Sequence, residues 1–458
     1  MKKHQNFTEG NMFKPLLLFA LPVLLSLFLQ AMYGAVDMLV VGKFATAADV
    51  SAVSTGSWIM TLITSFVVGI AMGTTVLLGQ RLGEGRPQAA GKIIGASVWL
   101  FVIIGIIMTI LVEIFAPQIA NIMHIPTEAF DATVAYIRIC GGGAIFIIAY
   151  NVLGSIFRGI GNSQMPLITV AIACATNIVC DFLLVGYCGM GVAGAAIATV
   201  FAQFFSVLLS LLIIRKMELP FQVTKEELLW NPKQMWEVFR LGFPIALQDV
   251  LVNISFLVIT AIVNTLGVIP SAGVGVAEKL CSFIMLAPSA FSQTMAAVVS
   301  QNIGAGKKDR AIRALIYGIL SSLSVGVIMA YLSFFHGDIM AGLFSNDAEV
   351  ISAGAEYLKA YAIDTILVSI MFCMVGYFNG SGKTTFVMIQ GIVGAFLVRI
   401  PVSFMMSQIK PINLFRIGLA TPASTIVQIV LCVIYFCKVN GYIKKKEPLT
   451  TKGPMCKR

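Results

Sequence analysis

Charge is what this sequence has least of. Only 11% of its 458 residues are Asp, Glu, Lys or Arg, against about 25% in an ordinary soluble domain. A chain so poor in charge cannot clothe a core in water, so a water-soluble fold is excluded. Histidine is nearly absent: His4, His124 and His336 fall in loops or tails without the helical spacing of a ligand pair, so no metal site is expected. The nine cysteines are odd in number and contain no C-x-x-C pair. Cys140, Cys174, Cys180, Cys281, Cys373 and Cys432 lie in apolar runs and read as small buried side chains rather than a disulfide framework. A nucleotide loop is also missing. "GYFNGSGKTT" ends like one, but the required first glycine falls on Tyr377 and the segment leaves an apolar run, not a strand. No cluster of His, Cys or paired acids sits near an interface. An enzyme, membrane-embedded or ATP-driven, is therefore not expected, and neither catalytic residues nor a cofactor are assigned.

What the chain has instead is long apolar runs, with 58% hydrophobic residues. Twelve of them are long enough to cross a hydrocarbon core of about 30 Å as helices. They span 13–40, 52–78, 93–116, 134–157, 165–187, 191–214, 236–265, 274–299, 312–335, 355–378, 384–406 and 417–437. The basic excess, 31 Lys and Arg against 21 Asp and Glu, forms no patch of the kind nucleic acid would need. It gathers in alternate loops, at Lys2, Lys3 and Lys14, Arg81, Arg86 and Lys92, Arg158, the 215–240 segment, Lys307 to Arg313, Lys383, and the end of the chain. Such loops face the cytoplasm, which places both termini there and the protein, multi-pass, in the inner (plasma) membrane. The first run lacks a small-residue cleavage site and is expected to stay as a helix. "NFT" at Asn6 and "NIS" at Asn253 match a glycosylation pattern, one in a cytoplasmic tail and one inside a span, and are read as chance.

The chain repeats itself. "VLLGQRLGEGRPQAAGK" around Gln80 returns as "AVVSQNIGAGKKDRAIR" around Gln301; Tyr136 answers to Tyr357, Gly159 to Gly380, Gly161 to Gly382 and Pro22 to Pro244. An all-α integral membrane protein is expected, with twelve transmembrane helices in two six-helix lobes related by a pseudo-twofold along the membrane normal. The expected division is an N-lobe at 1–216, a cytoplasmic linker at 217–235 carrying a short amphipathic surface helix, a C-lobe at 236–440 and a basic cytoplasmic tail at 441–458. Two parallel lobes around a cleft suit alternating access. The 22 Met and 31 Phe are assigned mostly to lipid contact and helix packing.

An acid within a span costs about 2.5–3.5 kcal/mol on insertion scales and needs a partner or a task. Asp37, Asp181, Asp249 and Asp364 are the candidates, with Glu113, Glu278 and Arg399 nearer span ends or in polar company. Asn177 and Asp181, four apart, share a helix face. Asp181 lies roughly 22 Å into the bilayer, at a depth similar to that of Asp37. The repeat has no acid in either place, since Asp37 answers to Ile259 and Asp181 to Val402, so the fold alone does not require them. Such a pair can take up a proton outside and lose it inside; with Asn177 and Thr199 adding neutral oxygens it could hold sodium instead.

Together, "LPVLLSLFLQAMYGAVDMLVVGKF", "LGQRLGEGR", "RGIGNSQMPL", "NIVCDFLLV" and "GVAGAAIAT", in that order, resemble the multidrug and toxic compound extrusion (MATE) family over nearly the whole chain. The resemblance implies a V-shaped, twelve-helix antiporter that expels organic cations and other amphipathic compounds in exchange for H+ or Na+. It is closer to the DinF-like branch, in which Asp37, Asn177, Asp181 and Thr199 would couple the ion, Gln30, Tyr33 and Asn151 would line the substrate cavity, and Pro22 would bend the first helix. The NorM-like branch carries a seventh-helix glutamate where this chain departs, with Asp249 closer to Pro244; an alternative C-lobe site would use Asp249, Asn253 and Asp364. The expected partners are small amphipathic or cationic substrates and the lipid bilayer, with no nucleic acid and a monomeric state. The rival reading is a lipid or lipid-linked oligosaccharide flippase of the same superfamily, which would need more cations in the cleft than Arg399 and Lys279.

Overall fold

In hydrocarbon the backbone has no water to bond to, and an α-helix satisfies its own N–H and C=O groups. The apolar runs accordingly all become helices. The structure, a computed structural model, describes residues 6–123, 125–217 and 226–441. His4, His124, the linker positions 218–225 and the basic tail from 442 onward lie outside the described residues. Among the described residues there is no strand. The spans are α1 Phe13–Phe44, α2 Ala47–Gly83, α3 Pro87–Ile122, α4 in two pieces, Thr127–Gly142 and Ala144–Gly159, α5 Gln164–Tyr187 and α6 Gly191–Ile214. The second half supplies α7 Pro232–Asn264, α8 Val268–Gly304, α9 Lys308–Phe335, α10 Ala348–Gly380, α11 Thr384–Ser407 and α12 Leu414–Val439. The all-helical, twelve-span fold expected from the sequence is the one the chain adopts, with α4 counted as one span bent by 54°.

Most helices run past the apolar stretch into polar residues. Ahead of α2, Thr46 and Asp49 form a reciprocal cap, Asp49 N donating to Thr46 Oγ1 at 3.2 Å and Thr46 N to Asp49 Oδ2 at 3.0 Å. At α7, Asn231 caps and Pro232 opens the helix, four residues before the expected start. Of the segment expected to carry a surface helix, positions 218–225 lie outside the described residues, and the described end of the linker, 226–231, is a turn. It is held where Trp99 Nε1 donates to the Leu228 carbonyl at 2.9 Å and where the buried Glu227 lies against Gly91 and Gly95 of α3. None of the eight described cysteines forms a disulfide.

The two halves pack as a twofold demands. Helix α1 lies along α5 of its own half and α8 of the other; α7 lies along α11 and α2; α2 and α8 meet each other. Two of the helices divide their allegiance. The starting part of α1 (Leu16, Phe19, Ala20, Val23) is buried in one cluster with Phe291, Met295, Val298 and Phe378 of the second half. Its far part (Val40, Val41) packs on Ala52, Val53 and Tyr136 of the first half. Helix α7 mirrors this, with Met235, Val238 and Ala246 in the core of the first half and Ile259 and Val263 in that of the second.

At the end of the bundle that carries the basic loops, the halves are clasped. Gln80 Nε2 donates to the Gly380 carbonyl at 3.1 Å and Gln301 Nε2 donates to the Gly159 carbonyl at 3.1 Å. These are the residues that the repeat pairs with one another, so the two bonds are images of each other. Beside them Gly83 faces the Gln301 carbonyl and Gly304 the Gln80 carbonyl, both so near that a Cβ would collide with backbone. At the same end, Arg310 reaches over to the segment before α1, donating to the carbonyls of Phe7 at 2.9 Å, Gly10 at 2.8 Å and Glu9 at 2.6 Å.

Candidate functional site

Beyond the clasp the halves part around a cavity of about 790 Å³. Helices α1, α2, α4 and α6 face it from the first half, and α7, α8, α10, α11 and α12 from the second. Its charged lining is brief: Asp37, Asp249, Asp364 and Arg399.

Helix α1 carries Gln30, Tyr33 and Asp37 to the wall at near-helical spacing, and all three line the cavity. Gln30 Nε2 donates to the Tyr150 hydroxyl at 3.2 Å. Asn151 lines it too, although its amide is spent on the Ile147 carbonyl of its own helix, at 2.8 Å. Thr199, on α6, donates to Asp37 Oδ2 at 3.4 Å and to the Ala195 carbonyl at 3.1 Å. Behind this pair lie Asn177 and Asp181 of α5, fully buried and facing Asp37. A recess of about 10 Å³, lined by Tyr33, Tyr150, Asn177, Thr199 and Gln203, is room for roughly one water molecule. Five polar atoms of the cluster have no hydrogen bond of regular geometry among the described residues: Asp37 Oδ1, the Asn177 amide oxygen and nitrogen, and both Asp181 oxygens. Buried oxygens of this kind demand a proton, a cation or water. Helix α5 opens into a π segment, Phe182–Tyr187, directly after Asp181, an irregularity that recurs where helices serve a site. Pro22 sits inside α1 without ending it, and the Ser26 hydroxyl donates to its carbonyl at 2.7 Å.

In the second half, Asp249 and Asn253 line the cavity, Asn253 Nδ2 bonding the Asp249 carbonyl at 2.8 Å. Asp364 is buried 61 positions from its partner Thr425, whose hydroxyl donates to it at 2.6 Å. The three are thus on one side of the cavity but do not form one cluster: Asp249 shares no hydrogen bond with Asp364. Glu278 accepts from the Thr260 hydroxyl at 2.9 Å, and Glu113 pairs loosely with Arg138 at 3.9 Å. Among the described residues no three His, Cys, Asp or Glu are placed to hold a metal ion together.

Sequence reasoning passed over Tyr136, bonded to Ser57 at 2.9 Å, and the polar stripe Thr421, Thr425 and Gln428 of α12, all at the cavity wall. The stripe carries a legible signal in its helical spacing, whereas Tyr136 stands out in the sequence only as a repeat position.

Comparison with known proteins agrees with this architecture. The sequence profile of the MatE family matches residues 22–183 and 244–405. The probable multidrug resistance protein YoeA of Bacillus subtilis is 24% identical over 453 residues, 97% of each chain. The probable multidrug resistance protein NorM of Thermotoga maritima is 24% identical over 441 residues, 95% of this chain and 94% of that one. A transporter of the MOP superfamily from Pyrococcus furiosus superposes with a TM-score of 0.90 at 18% identity, over 97% of this chain and all of the other. An outward-facing multidrug resistance MATE transporter superposes with a TM-score of 0.89, also at 18% identity and the same coverage.

Proposed function

This chain belongs to the MatE family and is a multidrug efflux transporter, not an enzyme; from that premise we propose that it is an antiporter, exchanging H+ or Na+ for small organic cations and amphipathic compounds by alternating access. The ion binds at Asp37, Asn177, Asp181 and Thr199, and the substrate in the cavity beside Gln30, Tyr33 and Asn151. The basic-loop end is cytoplasmic, with both termini there, in the plasma membrane of a protein that works as a monomer. The moving bodies are the lobes 1–216 and 236–440, joined by the linker 217–235 and followed by the tail 441–458. Each first helix bends at its interior proline, α1 at Pro22.

The observation that carries this reading is the run of polar groups from the open cavity through Asp37 and Thr199 to the buried oxygens of Asp181, which lack a hydrogen bond of regular geometry. An ion entering from the cavity neutralises the acids, closes the recess and takes the room from substrate on the same side. Discharge of the ion toward the cytoplasm then restores the acids for the next substrate. Efflux of ethidium from proteoliposomes, under a proton gradient alone and then a sodium gradient alone, tests it. Transport should follow one of the two gradients, be lost in Asp181→Asn and survive in Asp364→Asn. Loss only in Asp364→Asn would move the ion site to Asp249, Asn253 and Asp364; no gradient-driven movement of any cation would favour the flippase.

A further inference from the structure

The second half does not repeat the acidic cluster of the first; it puts a cation there. The offset of 222 that pairs Pro22 with Pro244 and separates the two matched segments, 22–183 and 244–405, sets Asn177 against Arg399, Asp181 against Ser403, one position on from the Val402 of the 221 offset, and Thr199 against Thr421. Arg399 ends a π segment, Val393–Arg399, in α11. It is 4% exposed yet lines the cavity. Its guanidinium has one hydrogen bond, from Nη1 to the Ser255 hydroxyl at 3.0 Å, and lies over the Phe256 ring at 4.4 Å. No carboxylate among the described residues is within ion-pair distance of it. The acid in its neighbourhood, Asp364, takes its hydrogen bond from Thr425 instead.

A buried guanidinium normally has a carboxylate in contact, because removing an ion from water is costly without one. Here Arg399 Nε, the Ser403 hydroxyl and the Thr421 hydroxyl all lack partners, and each can donate. Lys279, the other cation of this region, is exposed and is not part of the cavity wall. Resting on the transport reading above, we propose that Arg399, with Thr421 beside the cavity as a further donor, forms an anion subsite, and that the cavity takes amphipathic zwitterions. The substrate's carboxylate meets Arg399 while its cationic nitrogen meets Asp249 or Asp37. The planar fork of arginine suits a carboxylate in two-point contact.

A matched pair of dyes tests this by binding, independently of transport. Rhodamine B carries a free carboxylate beside its cationic ring system; its ethyl ester keeps the ring system and loses the carboxylate. Fluorescence polarisation with the full-length protein in nanodiscs should show the acid binding about tenfold tighter than the ester, the worth of one charge-assisted contact. Arg399→Gln should erase that preference by weakening the acid, with the ester binding no weaker than before, and Thr421→Val should reduce the preference in part. No preference in the wild type, or an equal loss for both dyes in Arg399→Gln, would overturn the proposal. So would a drop in the thermal midpoint of Arg399→Gln that Asp364→Asn restores, since Arg399 would then be half of a structural charge pair. If both dyes bind as expected and neither moves under any gradient, the transport reading fails and the anion subsite stands.

Discussion

Thr199 stands between the cavity and the buried acids, with its hydroxyl shared between Asp37 and its own helix. Replacing it with valine keeps the shape and removes an oxygen, so Thr199→Val should weaken ion coupling without unfolding the helix. If sodium is the ion, the concentration for half-maximal transport should rise about tenfold, the worth of one hydrogen-bonding contact to a charge; if it is the proton, the change should be smaller. Asp249 belongs to the opposite wall and shares no side-chain bond with the cluster. Asp249→Asn should therefore raise the KM for a cationic substrate while transport still follows the same gradient, and an unchanged KM would remove Asp249 from the substrate path. At this scale the sequence was readable where a residue defied its surroundings: Asp37, Asp181 and Asp364 stood out because acids are expensive in apolar runs. Their partners were less readable. Thr425 reaches Asp364 across 61 positions, and Arg399 gave no sign, as a single letter, of lacking a carboxylate.

Helices α1 and α7 each carry an interior proline, Pro22 and Pro244, in the part that packs in the core of the opposite half, before the helix crosses to its own. A proline deletes one backbone bond and crowds the preceding turn, which makes bending there easier. Pro244→Ala should stiffen α7 and lower turnover about tenfold with substrate affinity unchanged, read from rates and binding measured on the same preparation. Element positions were largely readable, because a run of twenty apolar residues leaves the backbone little choice. Their interior irregularities were not. A π segment inserts its change of pitch without altering composition, so nothing in "FLLVGY" or "VGAFLVR" announced it. The 54° break in α4 had a visible sign in the three glycines 141–143, which span counting by hydropathy ignores.

Across the whole molecule, the clasp decides which face is closed. Each of its bonds joins the halves, and the twofold makes them equivalent. Gln80→Ala and Gln301→Ala should each cost the closed arrangement about 1 kcal/mol and shift the balance between open and closed ends by about fivefold. Cysteine accessibility at the basic-loop end would show this, and a large effect from one glutamine with none from the other would break the symmetry argument. The repeat made Gln80 and Gln301 correspond; only the fold shows that they bond across to each other's half rather than within their own. The same holds for the exchange of α1 and α7, which has a consequence for how the protein is made. A ribosome delivers α1 to the membrane long before Phe291, Met295 and Phe378 exist to cover Leu16 and Phe19. The core of the first half likewise waits for Met235 and Val238. Neither half can finish alone, so a gene split between residues 217 and 226 should yield a working protein only when both fragments are synthesised in the same cell.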